Sequence, residues 1–340
     1  MADAEVKNTK QKTTVAEWLV ENALILIIIA MVIYSALFAA NFLSFQNLKN
    51  IMMNVSVRFI IALGVSGCLI TKGTDLSAGR IVGLTSVMTA LMLQRPDAAS
   101  GIIYPALAGK PILLTLLVAM LVGMLFGMIN GFSVSILYVP PFIATLGTQI
   151  AIYGINMMLS QNKPVGSLNS SFTGFGVTGL AVGPMVIPWI FFVSFFIVII
   201  MNVLYRHTVY GKNMYAIGGN EIAAEVSGVN TKRSKFIIYT FAGALYGLAG
   251  FLLTAKTGSA AVSAGTGYEL EAIAAATIGG VSTTGGVGTV PGILVGVIVF
   301  ELLKTCLQFL GISPEMTNVI QGIVIVVAVA MDIRKTMKKR

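Results

Sequence analysis

Charge is what this 340-residue chain has least of: Asp, Glu, Lys and Arg make up only 10% of it, against 56% hydrophobic residues. A soluble domain carries about 25% charge. Too little polar surface is left to cover a globule, and the mean hydropathy of +0.89 places the chain in a bilayer. Histidine is nearly missing. His207, beside Arg206, is the only one, which excludes a histidine-based metal centre and a Ser/His protease. The two cysteines, Cys68 and Cys306, sit in apolar runs; they read as small packing residues, not as a disulfide or a zinc site. A phosphate-binding loop is missing too. The glycine-rich run GGVSTTGGVGTVPG at 279–292 has no GxxxxGK[ST] pattern and misses the GxGxxG frame, so its glycines read as helix punctuation. A net charge of +9 could suggest nucleic acid, but the basic residues fall at span ends and in tails instead of along one face. That is how membrane topology is written. No nucleic acid, metal or cofactor is expected, and anionic lipid headgroups are the expected electrostatic partner.

What is present is a series of long apolar runs, bounded by Gly, Pro, Asn or charge, near 19–40, 51–71, 77–93, 111–137, 142–160, 184–204, 236–255, 286–309 and 316–332. Each is long enough to cross a hydrocarbon core of about 30 Å. The first exceeds the 7–15 residues of a signal-peptide core and reads as a retained span. The shorter run 268–281 is either a short crossing or a re-entrant half-helix. Two five-residue basic clusters decide between these: Arg206, Lys212, Lys232, Arg233 and Lys235, and Arg334, Lys335, Lys338, Lys339 and Arg340. Both must face the cytoplasm, which requires four spans between them. The expectation is therefore an all-α, polytopic bundle of about ten spans in one domain, 19–332. A tail at 1–18 and a basic tail at 333–340 would both lie in the cytoplasm. Fifteen basic residues then fall inside and five outside.

Residues 206–235 form the long polar insert. Asn220 suits a helix N-cap, Glu221 sits in the first turn against the positive dipole end, and Gly228 fits a left-handed exit. The two-turn helix between them would present Ile222 and Val226 on one side with Ala223 and Ala224 beside them. It is either a knob on which another protein pushes or a solvated loop helix.

Ionisable groups at membrane depth are few. Arg58 needs a carboxylate or carbonyls as partner. Glu301 and Lys304, three apart on one helix, are expected to neutralise each other. Asp75, in the turn GTDLSAGR with Lys72 and Arg80 as possible partners, reads as a turn-shaping residue, as do Gly73, Gly79, Gly280 and Gly286. Asn54, Asn130, Thr145, Thr148, Gln149 and Asn156 are neutral hydrogen-bonding residues within spans. They suit a wet path for an uncharged, hydroxyl-rich solute such as a sugar, or they are interhelical glue.

Four segments together, RFIIALGVSGCLITKGTDLSAGRIVGL (58–84), PPFIATLGT (140–148), YGKNMYAIGGNEIAAEVSGVN (210–230) and YELEAIAAATIGGVSTTGGVGTV (268–290), carry a resemblance. Over nearly its whole length the chain resembles the permease subunits of bacterial ATP-binding-cassette sugar importers, in the ribose and galactoside branch. GTDLSAGR with YELEAIAA is most similar to the galactoside members. The resemblance implies a type II importer-like fold in the bacterial inner membrane and a permease homodimer. It also implies two copies of a cytoplasmic ATPase, or a fused one, and a periplasmic or lipid-anchored sugar-binding protein. It implies that the loop Ala216 to Asn230 holds the helix that docks on the ATPase, with Gly218, Gly219, Asn220, Glu221, Ala223, Ala224 and Gly228 as its coupling residues. Glu301 and Lys304 depart from the pattern, which has small or amide residues in that span. On this reading the chain is a transport subunit and not an enzyme. Its rivals are an ion-coupled secondary transporter, for which Glu301 is the candidate site, a non-transporting scaffold, and a permease for ribose, nucleosides or branched-chain amino acids.

Overall fold

A computed structural model describes residues 23–98 and 101–338. The 1–18 tail, the start of the first expected span, and Lys339 and Arg340 lie outside the described residues. In chain order the helices are α1 (Ala23–Phe38), α2 (Phe45–Ile70), α3 (Ala78–Leu93), α4 (Ile112–Ser135), α5 (Pro141–Ser160), α6 (Ser170–Val177), then a hairpin β1 (Gly179–Val182) and β2 (Met185–Pro188), then α7 (Trp189–His207), α8 (Val209–Gly219), α9 (Glu221–Val226), α10 (Thr231–Thr257), α11 (Tyr268–Ile278), α12 (Val290–Phe309) and α13 (Pro314–Lys338). The bundle is all-α apart from that two-stranded antiparallel ribbon.

Of the helices long enough to cross, two form the axis, with the shorter α3 buried beside them. In their most apolar windows α2 and α10 are 83% and 78% buried, against 22% or less for α4, α5, α7 and α13. The outer helices turn leucine, isoleucine, phenylalanine and valine outward, as at Leu121, Ile150, Phe196 and Val326. Lipid tails are as apolar as those side chains, so close backbone approach has to do the work of association. The chain supplies it at Gly123, Gly127 and Gly131, one turn apart on α4, the first two facing Gly243 and Gly247 of α10 and the third facing the Phe236 backbone. A Cβ on Gly123 would lie 2.2 Å from the Gly243 carbonyl oxygen, and one on Gly247 would lie 2.3 Å from that of Ala119.

Several boundaries differ from the sequence expectation for identifiable reasons. The run 184–204 is not one helix. Its first residues form β2, with Val182 opposite Met185 and Gly179 opposite Pro188, and α7 starts only at Trp189. An apolar strand followed directly by an apolar helix leaves no polar seam to read. α2 begins at 45 because Ser44 caps it, its side chain accepting from the Asn47 amide. α10 begins at 231 because Asn230 does the same for Arg233. α12 starts at 290 behind a Thr289 cap, with Pro291 in its first turn. α11 has 11 residues, a length of about 16 Å. By length and composition seven described helices can cross a bilayer, while Leu26–Phe38 and Ala78–Leu93 are shorter apolar helices. A total of ten depends on admitting those two and α11.

Candidate functional site

The loop between α7 and α10 folds into two helices, α8 and α9, meeting at Asn220. That residue ends one helix and caps the next: its backbone is extended (φ −152°, ψ 108°), and its side-chain oxygen accepts from the Ala223 amide at 3.0 Å. Gly228 takes φ +88°, in the left-handed region open to glycine. The backbone then turns sharply, the Val229 amide donating to the Ala224 carbonyl at 3.0 Å. Ala224 is buried, while Ile222 and Val226 are 76% and 85% exposed. Glu221 pairs with Lys235 of α10 at 2.6 Å.

The seat of this loop is glycine against backbone. Gly218 lies so close to the end of α2 that a Cβ there would sit 1.8 Å from the Ile70 carbonyl oxygen and 2.4 Å from the Gly286 amide. The Gly286 amide donates to that same carbonyl at 2.9 Å. Lys72 reaches the Gly219 carbonyl at 3.4 Å, and the Tyr215 hydroxyl donates to the Gly288 carbonyl at 2.8 Å. Burial pushes the Tyr215 phenol above its ordinary value, with Arg206 pulling it partly back, so the hydroxyl keeps its donor proton at neutral pH. Asp332 of α13 clamps the glycine-rich run by accepting from the Thr283 amide and hydroxyl, both at 2.9 Å. α8, the Asp332 clamp and the close fit of Gly218 had no signal in the sequence reading. Gly219 faces open space, so only its neighbour Gly218 is sterically committed to glycine.

Of the expected turn residues, Gly280 (φ +86°) and Gly286 (φ +77°) are left-handed. Gly73 is a close approach instead: a Cβ would meet the Tyr239 hydroxyl at 2.2 Å, and the left-handed residue of that turn is Lys72. Gly79 is inside α3, where a Cβ would meet Glu269 Oε2 at 2.0 Å. Asp75 pairs with neither Lys72 nor Arg80. It is buried and accepts from the Ser77 amide at 3.0 Å, the Ser77 hydroxyl at 2.7 Å and the Tyr246 hydroxyl at 3.1 Å. Arg80 leads away to the Thr266 hydroxyl at 3.0 Å and stacks over Tyr153. Hydroxyl donors satisfy the Asp75 carboxylate where a cation would have to be desolvated beside it.

Most of the residues expected either on a polar path or as interhelical glue are engaged in hydrogen bonds between or within helices. Asn130 is buried and donates to Ser77 at 2.8 Å, extending the Asp75 knot. Thr145 is buried as well; its hydroxyl donates to the Pro141 carbonyl at 2.8 Å or the Thr74 carbonyl at 3.1 Å, and accepts from the Leu76 amide at 3.1 Å. Thr148 bonds its own helix at 3.1 Å. Asn156 is buried near the Val262 carbonyl, 3.5 Å away. Gln149 is half-buried. Asn54 stands apart from these, in an ionic cluster.

That cluster corrects the expected Glu301–Lys304 pair. Lys304 binds Glu271 of α11 at 2.7 Å, Glu271 also binds Arg58 at 2.8 Å, and Arg58 binds Glu301 at 2.9 Å. Asn54 donates to Glu301 at 2.6 Å and accepts from Lys256. Arg58 also lies over the Tyr268 ring, 5.3 Å from its centre. One turn of α12 separates Glu301 from Lys304, yet each prefers a partner from another helix. A charge at this depth is stabilised only when several groups share it.

The Escherichia coli galactose/methyl galactoside import permease is 42% identical over 319 residues, covering 93% of this chain and 94% of its own. The Haemophilus influenzae permease of the same name is 41% identical over 302 residues, 88% of this chain and 90% of its own. The ribose import permease of Bacillus subtilis is 38% identical over 308 residues, 90% of each chain. No solved structure matches the chain. The family model described as "Branched-chain amino acid transport system / permease component" matches residues 47–329. With a multi-helix apolar bundle, a family match over most of its length and relatives 38% to 42% identical over 88% to 93% of it, the chain belongs to that family of membrane permease components.

Proposed function

We propose that the chain is the membrane subunit of an ATP-driven sugar importer, taking galactose or a methyl galactoside from an extracytoplasmic binding protein. ATP is hydrolysed by a separate cytoplasmic ATPase docked on α9, and two copies of the chain form the transmembrane unit in the inner membrane, with both termini cytoplasmic. The observation that carries the docking role is α9 itself. A six-residue helix cannot persist alone, yet here it is capped at Asn220, tied by Glu221 to Lys235 and seated through Gly218, while its two largest apolar side chains point into solvent. A rigid knob with an apolar tip suits a groove on a partner. The relatives named as galactose/methyl galactoside permeases support the choice of solute.

In this mechanism closure of the paired ATPases pushes α9, and the push passes through Gly218 to the end of α2 and through Lys235 to α10. Those are the two axial helices, so a small displacement at the knob reorients the bundle. The test is to co-purify the chain with its ATPase and to replace Ile222 and Val226 by Asp together. The double variant should insert and fold normally, lose the ATPase and lose sugar uptake. Retained, sugar-stimulated ATP hydrolysis in that variant would remove the docking role. Uptake into vesicles with trapped ATP and a collapsed ion gradient separates this reading from an ion-coupled transporter.

A further inference from the structure

The end of the bundle opposite α9 holds a cleft that the mechanism above does not use. Sixteen residues of α2, roughly 24 Å, separate Asn54 from Ile70, whose carbonyl touches the coupling loop. The cleft has a volume of about 410 Å³ and is walled by Asn41, Asn47 and Asn50 on one side and Gln308 on the other, with Asn54 and Lys256 at its floor. Amides dominate this lining, and no carboxylate belongs to it among the described residues.

The walls are preformed. Buried Asn47 donates to the Phe42 carbonyl at 2.7 Å, fixing the turn between α1 and α2. Phe42 packs edge-on against Phe309, ring centres 5.4 Å apart, which joins that turn to the end of α12. The mouth is open: Asn41, Asn50 and Gln308 are exposed, and the Asn50 oxygen accepts only a long 3.4 Å bond from Gln46. At the floor Lys256 donates to Asn54, which donates in turn to Glu301 of the ionic cluster.

An amide presents two donors and an acceptor, and a hydroxyl presents one donor and two lone pairs. A ring of amides around a wet cleft therefore matches a molecule carrying several hydroxyls, and the volume lies in the range of small-molecule sites. We propose that this cleft is a receiving subsite for an uncharged, polyhydroxylated solute of monosaccharide size, reached from the side opposite the ATPase. The assignment rests on the sugar-import reading above and adds the place at which the solute first meets this chain. Lys256 supplies a charged donor to one hydroxyl, and the Asn54 bridge links occupancy of the floor to the Glu301–Arg58 pair.

The test uses the assembled importer with Gln308→Cys, the native Cys68 and Cys306 being buried, and a membrane-impermeant maleimide applied from the side opposite the ATPase. Methyl galactoside should protect the new thiol. For a weak site with a dissociation constant of about 1 mM, a tenfold excess slows labelling by roughly an order of magnitude. Asn50→Ala should raise the protecting concentration severalfold. Asn41→Cys, on the facing wall, repeats the measurement should the first variant not assemble. If labelling is unaffected by the sugar while the unlabelled importer still takes it up, the subsite is overturned and the transport reading stands. Equal slowing by polyethylene glycol at matched osmolarity also overturns it. An unmodified importer that accumulates no hexose overturns the transport reading itself.

Discussion

At the end carrying α9, backbone meets backbone: Gly218, Gly286 and Ile70 are in direct main-chain contact, and the ion pair there joins Lys235 to the partly exposed Glu221. At the opposite end side chain meets side chain, with Arg58, Glu271, Glu301 and Lys304 in a continuous series of ion pairs joined to Lys256 through Asn54. Glycine contacts keep a fixed shape and transmit displacement because they have no rotamers to yield. Ion pairs between helices hold one arrangement firmly but can exchange partners. The contrast suits one end to receiving a push and the other to changing state.

Substitutions at four places sharpen or break that contrast, in decreasing order of effect. Removing one member of a buried ionic cluster leaves a stranded charge, at about 3–5 kcal/mol. Arg58→Met should therefore lower the melting temperature of the detergent-solubilised complex more than any change near α9. Arg58→Met combined with Glu301→Gln should recover part of the loss; no recovery would mean that the two side chains are not coupled. Next comes Gly218→Ala, where overpacking costs about 1–3 kcal/mol. It should uncouple ATP hydrolysis from uptake and leave the cleft-side thiol labelling of Gln308→Cys unchanged. A change in that labelling would show that the two ends do not separate. Asn220→Ala removes a cap worth about 1 kcal/mol and should weaken co-purification of the ATPase without changing thermal stability measurably. Smallest is Glu221→Gln. Because Glu221 is 45% exposed, its pair contributes no more than about 1 kcal/mol, and ATPase docking should become less sensitive to salt with little loss of uptake.

The end with α9 was legible in the sequence because its signals are local. A cap, an acidic first turn and a glycine exit all lie within nine residues, and Ile222 and Val226 sit at helical spacing. The cluster at the other end was not. Arg58 finds Glu271 across 213 positions, while Lys304, one turn from Glu301, offered a nearer but wrong partner. Local spacing says which charges can meet on one helix and nothing about which helix will pack alongside. The long apolar runs likewise declared most of the helices, but β2 hid at the head of one run, since strand and helix were equally apolar there, and its partner β1 lay just before that run. In sequence Asn130 and Thr145 suit a polar path or interhelical glue alike; in three dimensions they hydrogen-bond the turn between α2 and α3.

α11 is about 16 Å long, anchored at its start by Glu271 to cations on two different helices and released at its end by Gly279 and the left-handed Gly280. Pulling such a half-length segment away from α2 and α12 would part opposite charges inside a hydrocarbon layer, which is tolerable only if hydration follows them. Any conformational cycle that displaces α11 must therefore flood the bundle's interior as it opens and dry it again as it shuts.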